Sequence, residues 1–200
     1  MDNGIKDVIS ESRIHLRDLK IRGILEDKNK IKVVPPKRGI FSFLYRGWKT
    51  IDEVSKLGGI ISGSTALSLY RIEGSPIINR KPNDWDILMS RDSLLKFCGL
   101  NNIDFRYDKD TISIQLKKGI YVGRDYCDES PNYIFKHDID LIGTDELPDH
   151  IQVGRYKIAT LDSILEDKIR RIEGALRLTQ DNKHVVDCKS IISKIHAYSI

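Results

Sequence analysis

Two apolar stretches of this chain carry an acid at every second position: Asp84-Trp85-Asp86-Ile87-Leu88-Met89 and Asp138-Ile139-Asp140-Leu141-Ile142. In an extended strand, residues two apart project from the same face. Asp84 and Asp86 then stand together, while Trp85 and Ile87 turn into the core. Like charges held side by side repel, and the arrangement gains a protein nothing without a cation between them. A lone pair of this kind reads as an exposed strand edge. Two such strands in one small domain argue instead for a carboxylate cluster that holds a hard divalent ion such as Mg²⁺. The expected ligands are Asp84, Asp86 and Asp140. Asp138 lies on the same face as Asp140, so the third ligand stays open between them; Asp140 is preferred because Leu141-Ile142 follow it directly.

The surrounding sequence sets limits on the scaffold. A chain of 200 residues that is 40% hydrophobic can bury one core, with room for a small appended lobe. A net charge of +4 is too weak to indicate nucleic-acid binding by itself. Cys98, Cys127 and Cys188 are far apart and form no CxxC pair, which argues against a disulfide framework or structural zinc and for a reducing compartment. The N-terminal residues lack the apolar core of a signal peptide, and no apolar run approaches the roughly 20 residues that cross a bilayer. The expectation is a cytoplasmic protein.

Three regions differ in texture. Residues 1–49 crowd basic side chains around Pro35-Pro36 and read as an N-terminal extension that packs on the core or meets a partner subunit. Short helical segments are expected there, with a strand over Ile31–Val34 ended by the prolines. Residues 50–160 read as an α+β core. Thr50-Ile51-Asp52-Glu53 has the capping-box pattern for a helix ending at Gly58-Gly59. Ile60-Ile61 reads as a buried strand, Thr65–Tyr70 as a helix, and residues 71–83 as a loop. Asp84–Met89 is a strand, Ser93–Cys98 a helix, and Thr111–Leu116 a strand turning at Lys117-Lys118-Gly119 into Ile120–Val122. One strand is expected from Tyr133 through Asp140 to Ile142, and a last one over Tyr156–Ala159. Residues 161–200 read as two C-terminal helices, roughly Leu161–Leu176 and Asn182–Tyr198. The predicted architecture is a small mixed β-sheet flanked by helices, with a helical C-terminal part.

Two further features bear on chemistry. Gly63-Ser64 ends a strand and opens a helix, which offers backbone N–H groups and a hydroxyl to a phosphate; many helices begin this way and need only the cap. Lys168 lies seven residues after Leu161, inside an apolar stripe formed with Ile164, Leu165, Ile169 and Ile172. A buried ammonium is costly unless an anion faces it. Either its stem snorkels past the core or it meets a phosphate or an acid. Lys183, His184 and Asp187 read first as a solvated helix start capped by Asp181-Asn182.

In order and spacing, Ile61-Ser62-Gly63-Ser64, Asp84-Trp85-Asp86-Ile87 and Ile139-Asp140-Leu141-Ile142 resemble the signature of the DNA polymerase β-like nucleotidyltransferase superfamily. The nearer resemblance is to stand-alone nucleotidyltransferases of type IV toxin–antitoxin and abortive-infection systems. Gly63-Ser64-Thr65-Ala66-Leu67 looks like their Gly-Gly/Ser-Thr-Ala-Leu run. Arg80-Lys81-Pro82-Asn83-Asp84-Trp85-Asp86 is similar to their basic residue before Ser-Asp-x-Asp, with Asn83 where Ser is usual. Lys168 and Lys183-His184-Val185-Val186-Asp187 are similar to their C-terminal motifs. The resemblance covers roughly residues 50–195. One departure is the long spacer between Ser64 and Asp84, filled by Arg71 to Asn79.

The resemblance implies a nucleotidyltransferase fold in which Asp84, Asp86 and Asp140 are catalytic and bind two Mg²⁺ ions. It implies that Gly63, Ser64, Thr65, Lys81, Lys168 and Lys183 contact the nucleotide. The implied reaction moves a nucleoside monophosphate from an NTP to a hydroxyl. The acceptor is expected to be an RNA 3′ end or a protein ahead of a small molecule. The alternative is a non-catalytic protein on the same fold, acting as a binding or structural component, with residues 1–49 as the route to an oligomer or a partner protein.

Overall fold

A computed structural model describes residues 3–21, 31–36, 47–103, 113–117, 120–124, 131–136, 138–174 and 182–197. The chain divides into two compact units, each assembled from separated stretches of sequence. One comprises Pro35–Thr65 and Pro82–Ala159 and is built on a large sheet; the other comprises Met1–Val34, Ala66–Lys81 and Thr160–Ile200 and is mainly helical. The α+β class follows directly.

In the sheet unit, eight strands run in the order β10-β11-β2-β5-β9-β8-β7-β6. These are β2 (Ile60–Ser62), β5 (Trp85–Ser90), β6 (Ser113–Lys117), β7 (Ile120–Arg124), β8 (Pro131–Lys136), β9 (Ile139–Thr144), β10 (His150–Val153) and β11 (Tyr156–Ala159). The pairs β11–β2 and β5–β9 are parallel and the remainder antiparallel, so the sheet is mixed as expected but larger. Register explains where its core lies. Ile158, Ile61, Ile87, Leu141 and Ile134 are successive partners across five strands, and each is essentially inaccessible to solvent. One residue further along every strand the side chains turn to the other face, because the pleat repeats every two residues.

Helix α2 (Gly47–Lys56) begins three residues earlier than the capping-box reading. Thr50 is buried inside the helix, so its hydroxyl does not serve as the cap, and Glu53 instead faces Lys49 at 3.7 Å and Asn101 Nδ2 at 3.3 Å. The additional turn places Trp48 edge-on to Trp85, ring centroids 5.4 Å apart. The C-terminal stop is where the glycines put it: Gly58 has φ +85°, and the Gly59 amide donates to Val54 O at 2.8 Å. Helix α4 (Arg91–Leu100) starts under a Ser90 cap whose hydroxyl accepts from the Ser93 amide.

The segment from Tyr133 to Ile142 is not one strand. β8 and β9 form an antiparallel hairpin, with Phe135 opposite Asp140. The reversal falls at Asp138, which adopts φ +60°, a left-handed conformation that Asp tolerates better than most residues. The turn inverts the alternation, since Ile134 and Leu141 share a face although seven residues apart; Tyr133-Ile134-Phe135, apolar at every position, conceals the inversion from a reading of periodicity. The hairpin Lys118-Gly119 and residues Thr111-Ile112 lie outside the described residues.

In the helical unit α1 (Asn3–Ile21), α5 (Leu161–Gly174) and α6 (Lys183–Ala197) pack on one another. Ile5 and Val8 of α1 join the α5 stripe, Ile164, Leu165, Ile169 and Ile172, and α6 residues Val185, Ile191 and Ile195 in one core. The short helical segments expected near the N-terminus are therefore one helix of 19 residues. Arg13 on α1 makes a bidentate ion pair with Glu173 on α5, its closest contact at 2.7 Å. The stretch read as a loop after Tyr70 contains a hairpin, β3 (Tyr70–Ile72) and β4 (Ser75–Pro76), with β1 (Ile31–Val33) along the other side of β3. The turn at Glu73-Gly74 uses positive φ at both residues, which signals a hairpin that the prolines mask. Helix α3 (Gly63–Leu69) spans the division between the units. Among the described residues no helix is long and apolar enough to cross a membrane.

Candidate functional site

The strand register assembles the acids. Ser62, Asp86 and Asp140 are successive Cα partners across β2, β5 and β9, and they occupy the face opposite the Ile61–Ile87–Leu141 row. Neighbouring strands lie about 4.8 Å apart, so carboxylates at paired positions on one face can reach a common ion with Mg–O distances near 2.1 Å. Asp84 sits two residues before Asp86, immediately ahead of β5. Its main-chain carbonyl accepts a hydrogen bond of 2.5 Å from Thr65 Oγ1, which ties the start of β5 to the first turn of α3. The Trp85 amide in turn donates to Asp138 O at 2.9 Å, anchoring the same point of β5 to the β8–β9 turn. Asp138 therefore contributes its backbone. Its side chain is exposed on the turn ahead of β9.

Gly63 explains why a glycine precedes Ser64. Its φ is +60°, and a Cβ there would stand 1.9 Å from Asp86 Oδ2. The Asp86 carboxylate thus lies directly over the Gly63 main chain, in space that any side chain would fill. Ser64 and Thr65 are both buried next to it in sequence. Among the described residues no three His, Cys, Asp or Glu side chains form a ready-made coordination group. The donor chemistry of Asp84, Asp86 and Asp140 is nonetheless the all-oxygen, anionic kind that suits Mg²⁺.

The basic residues assigned to the nucleotide belong to the helical unit. Lys81 is exposed ahead of Pro82, and Lys183 is exposed as the first residue of α6. Lys168 is 2% exposed, and its ammonium donates to Asp187 Oδ2 at 2.7 Å. The anion that faces this buried lysine is an acid from α6. Arg80 completes the group, its Nε and Nη2 donating to Asp187 Oδ1 and Oδ2 at 3.1 and 2.7 Å. Asp187 is fully buried, contrary to the solvated helix start expected for it. The helix start itself is capped as read: Asn182 Oδ1 accepts from the His184 amide at 2.9 Å. Asp181 lies outside the described residues. Asp187 falls five residues after that cap, where the helix has already turned its face inward, and the apolar neighbours Val185 and Cys188 were the available signal.

Burial opposes ionisation of Asp187, but hydrogen bonds from Arg80 and the charge of Lys168 outweigh it and hold the carboxyl below its ordinary value. His184 moves the other way for a base: burial, followed by the charges of Lys168, Arg171 and Lys183, lowers its pKa to about 4. The imidazole is therefore neutral at pH 7. Because the unfolded chain binds this proton near pH 6.5 and the folded one does not, its contribution to stability is full above 6.5 and is lost as pH falls through about 4. A ¹³Cε1 titration of His184 by NMR is expected to show no protonation above pH 5; a midpoint near 6.5 would contradict the placement. Burial likewise pushes the thiols of Cys98 and Cys188 up to about 11, which leaves both protonated and unreactive at neutral pH. Cys127 lies outside the described residues.

No family model matches this chain, and neither a curated protein nor a solved structure is similar enough to count as a match.

Proposed function

We propose that the sheet unit carries a metal-dependent nucleotidyltransferase site of the DNA polymerase β-like type, which moves a nucleoside monophosphate from an NTP to a hydroxyl acceptor. The observation that carries this reading is the pairing of Asp86 with Asp140 on parallel neighbouring strands, with Asp84 two residues upstream and the Gly63 turn against Asp86. Like charges brought this close repel unless a cation lies between them, and the Thr65–Asp84 and Trp85–Asp138 hydrogen bonds tie the main chain at the start of β5.

Asp84, Asp86 and Asp140 would hold the two Mg²⁺ ions, which on binding neutralise the triphosphate and acidify the attacking hydroxyl. Thr65 fixes the main chain of Asp84, and Asp138 O fixes that of Trp85, so the backbone that carries Asp84 and Asp86 is held at the start of β5. Gly63 leaves room over its main chain for the Asp86 carboxylate, and Ser64 follows it in the first turn of α3. The resemblance also assigns Lys81, Lys168 and Lys183 to the nucleotide; they belong to the helical unit, where Lys168 is held by Asp187. An RNA 3′ end or a protein hydroxyl is the preferred acceptor.

The test is incubation of the full chain with each labelled NTP, Mg²⁺ and total RNA or protein, beside Asp86→Asn and a chelator control. Label on a macromolecule is expected for the wild type and lost in both controls. In parallel, NTP with Mg²⁺ at 100-fold over its dissociation constant is expected to stabilise the fold by about 2.7 kcal/mol. Stabilisation without transfer would leave a binding protein on this fold; neither effect would end the nucleotide reading.

A further inference from the structure

Strand β2 reads Ile60-Ile61-Ser62, and all three residues are buried. Ser62 is its only polar side chain, 6% exposed, and it stands directly opposite Asp86 in the antiparallel pair β2–β5. Paired side chains on one face of such a pair have Cβ atoms about 4.5–5.5 Å apart. The Ser62 hydroxyl is therefore a neighbour of the acid row, on the side of Asp86 away from Asp140. That is also the side of the Gly63 turn.

The ordinary uses of a serine in this place are not made. Ser62 immediately precedes α3, where a serine oxygen commonly accepts from an amide of the first helical turn. Among the described residues Ser62 Oγ takes no such cap bond, and it does not bond to Asp86. Its oxygen is not sealed from solvent. The Asp86 carboxylate lies over the Gly63 main chain, and Thr65 spends its own hydroxyl proton on Asp84 O. Ser62 is thus a nine-tenths buried residue with a donor to spare on the acid face. Alanine would fill the same space without taking a hydroxyl out of water. A spare donor beside a metal-binding row suits an anionic oxygen carried in on the metal, because a hydroxyl bonds a charged acceptor more strongly than a neutral one. From these observations we infer that Ser62 is a further nucleotide-binding residue, whose hydroxyl donates to a phosphate oxygen of the metal-bound nucleotide. The inference rests on the nucleotidyltransferase reading of the acid row and adds a contact that the resemblance does not assign.

The experiment is calorimetric titration of the full chain with the α,β-methylene analogues of ATP, CTP, GTP and UTP in Mg²⁺, beside titration with Mn²⁺ alone followed by electron paramagnetic resonance. Ser62→Ala is expected to weaken the tightest analogue at least about tenfold and Ser62→Thr to keep it within about threefold. Mn²⁺ alone is expected to bind Ser62→Ala and wild type alike. Unchanged analogue affinity in Ser62→Ala would overturn this contact and leave the nucleotidyltransferase reading standing. Mn²⁺ binding weakened as much as analogue binding would also overturn it, since the hydroxyl would then serve the metal or the fold. A wild type that binds none of the four analogues would end the nucleotide reading and this contact with it.

Discussion

Replacing Asp187 with alanine is expected to cost about 3–5 kcal/mol of stability, measured from urea midpoints at pH 7. The reason is what the substitution leaves behind. Lys168 is 2% exposed, its ammonium is held by Asp187 at 2.7 Å, and without the acid it is a buried charge with no counterpart. Arg80 suffers less, since a third of its side chain already reaches solvent. The double variant Lys168→Met with Asp187→Leu removes both members of the buried pair and is expected to recover most of the loss, because an apolar pair of similar volume avoids the desolvation cost. A single-variant loss below about 1 kcal/mol would mean that Lys168 finds water in solution. The effect also has a pH signature. The folded pKa of Asp187 lies below its ordinary value of 3.8, so the acid's contribution is complete above that value and is lost as pH falls through the lower folded pKa. The gap between wild type and Asp187→Ala should therefore close under acidic conditions.

Gly63→Ala is expected to destabilise by about 2–3 kcal/mol and, if Asp86 holds Mg²⁺ as proposed, to weaken that binding together with it. Two independent costs add. An alanine at φ +60° pays the left-handed penalty of about 1–2 kcal/mol. Its Cβ would also stand 1.9 Å from Asp86 Oδ2 and 2.8 Å from Cγ, so the carboxylate must swing off its position. Asp86 is short, with Cβ itself 3.1 Å from the added atom, and rotation about a single bond does not relieve the whole contact. The two terms separate in an Asp86→Ala background, where the carboxylate clash is gone and Gly63→Ala should cost mainly the backbone part, about 1–2 kcal/mol. Equal losses in both backgrounds would show that Asp86 does not rest on the glycine. Thermal unfolding measures the stability arm, and Mg²⁺ titration measures the metal arm.

These two residues also show how far the sequence could be read. Gly63 was legible as a turn opening a helix, because glycine before serine at a strand end has few other uses. Its contact with Asp86 was not, since that depends on β2 and β5 being antiparallel neighbours with Ser62 opposite Asp86. Lys168 was legible as misplaced in an apolar stripe, and the cost of a buried charge required an anion. The identity of that anion was hidden: Asp187 reads as one more polar residue near a helix start, and Arg80 lies 107 residues before it. The Tyr133–Ile142 hairpin was missed for a related reason. The turn switches which parity faces the core, but Tyr133-Ile134-Phe135 is apolar at every position and so gives no sign of the switch.

The alternation of acids and apolar residues by itself determined that Asp84 and Asp86 share a face and that Ile87 and Leu141 are core, because the two-residue pleat is a local property of the backbone. It also determined the glycine stops, the Asn182 cap and the stripe that buries Lys168. Tertiary structure alone decided which acids become neighbours. The parallel register of β5 and β9 sets Asp140 beside Asp86, and Asp138 falls on the turn before β9 rather than within the strand. Strand pairing and the meeting of α6 with the segment before β5 are long-range choices, fixed by which apolar faces can be buried together, and no window of sequence contains both partners.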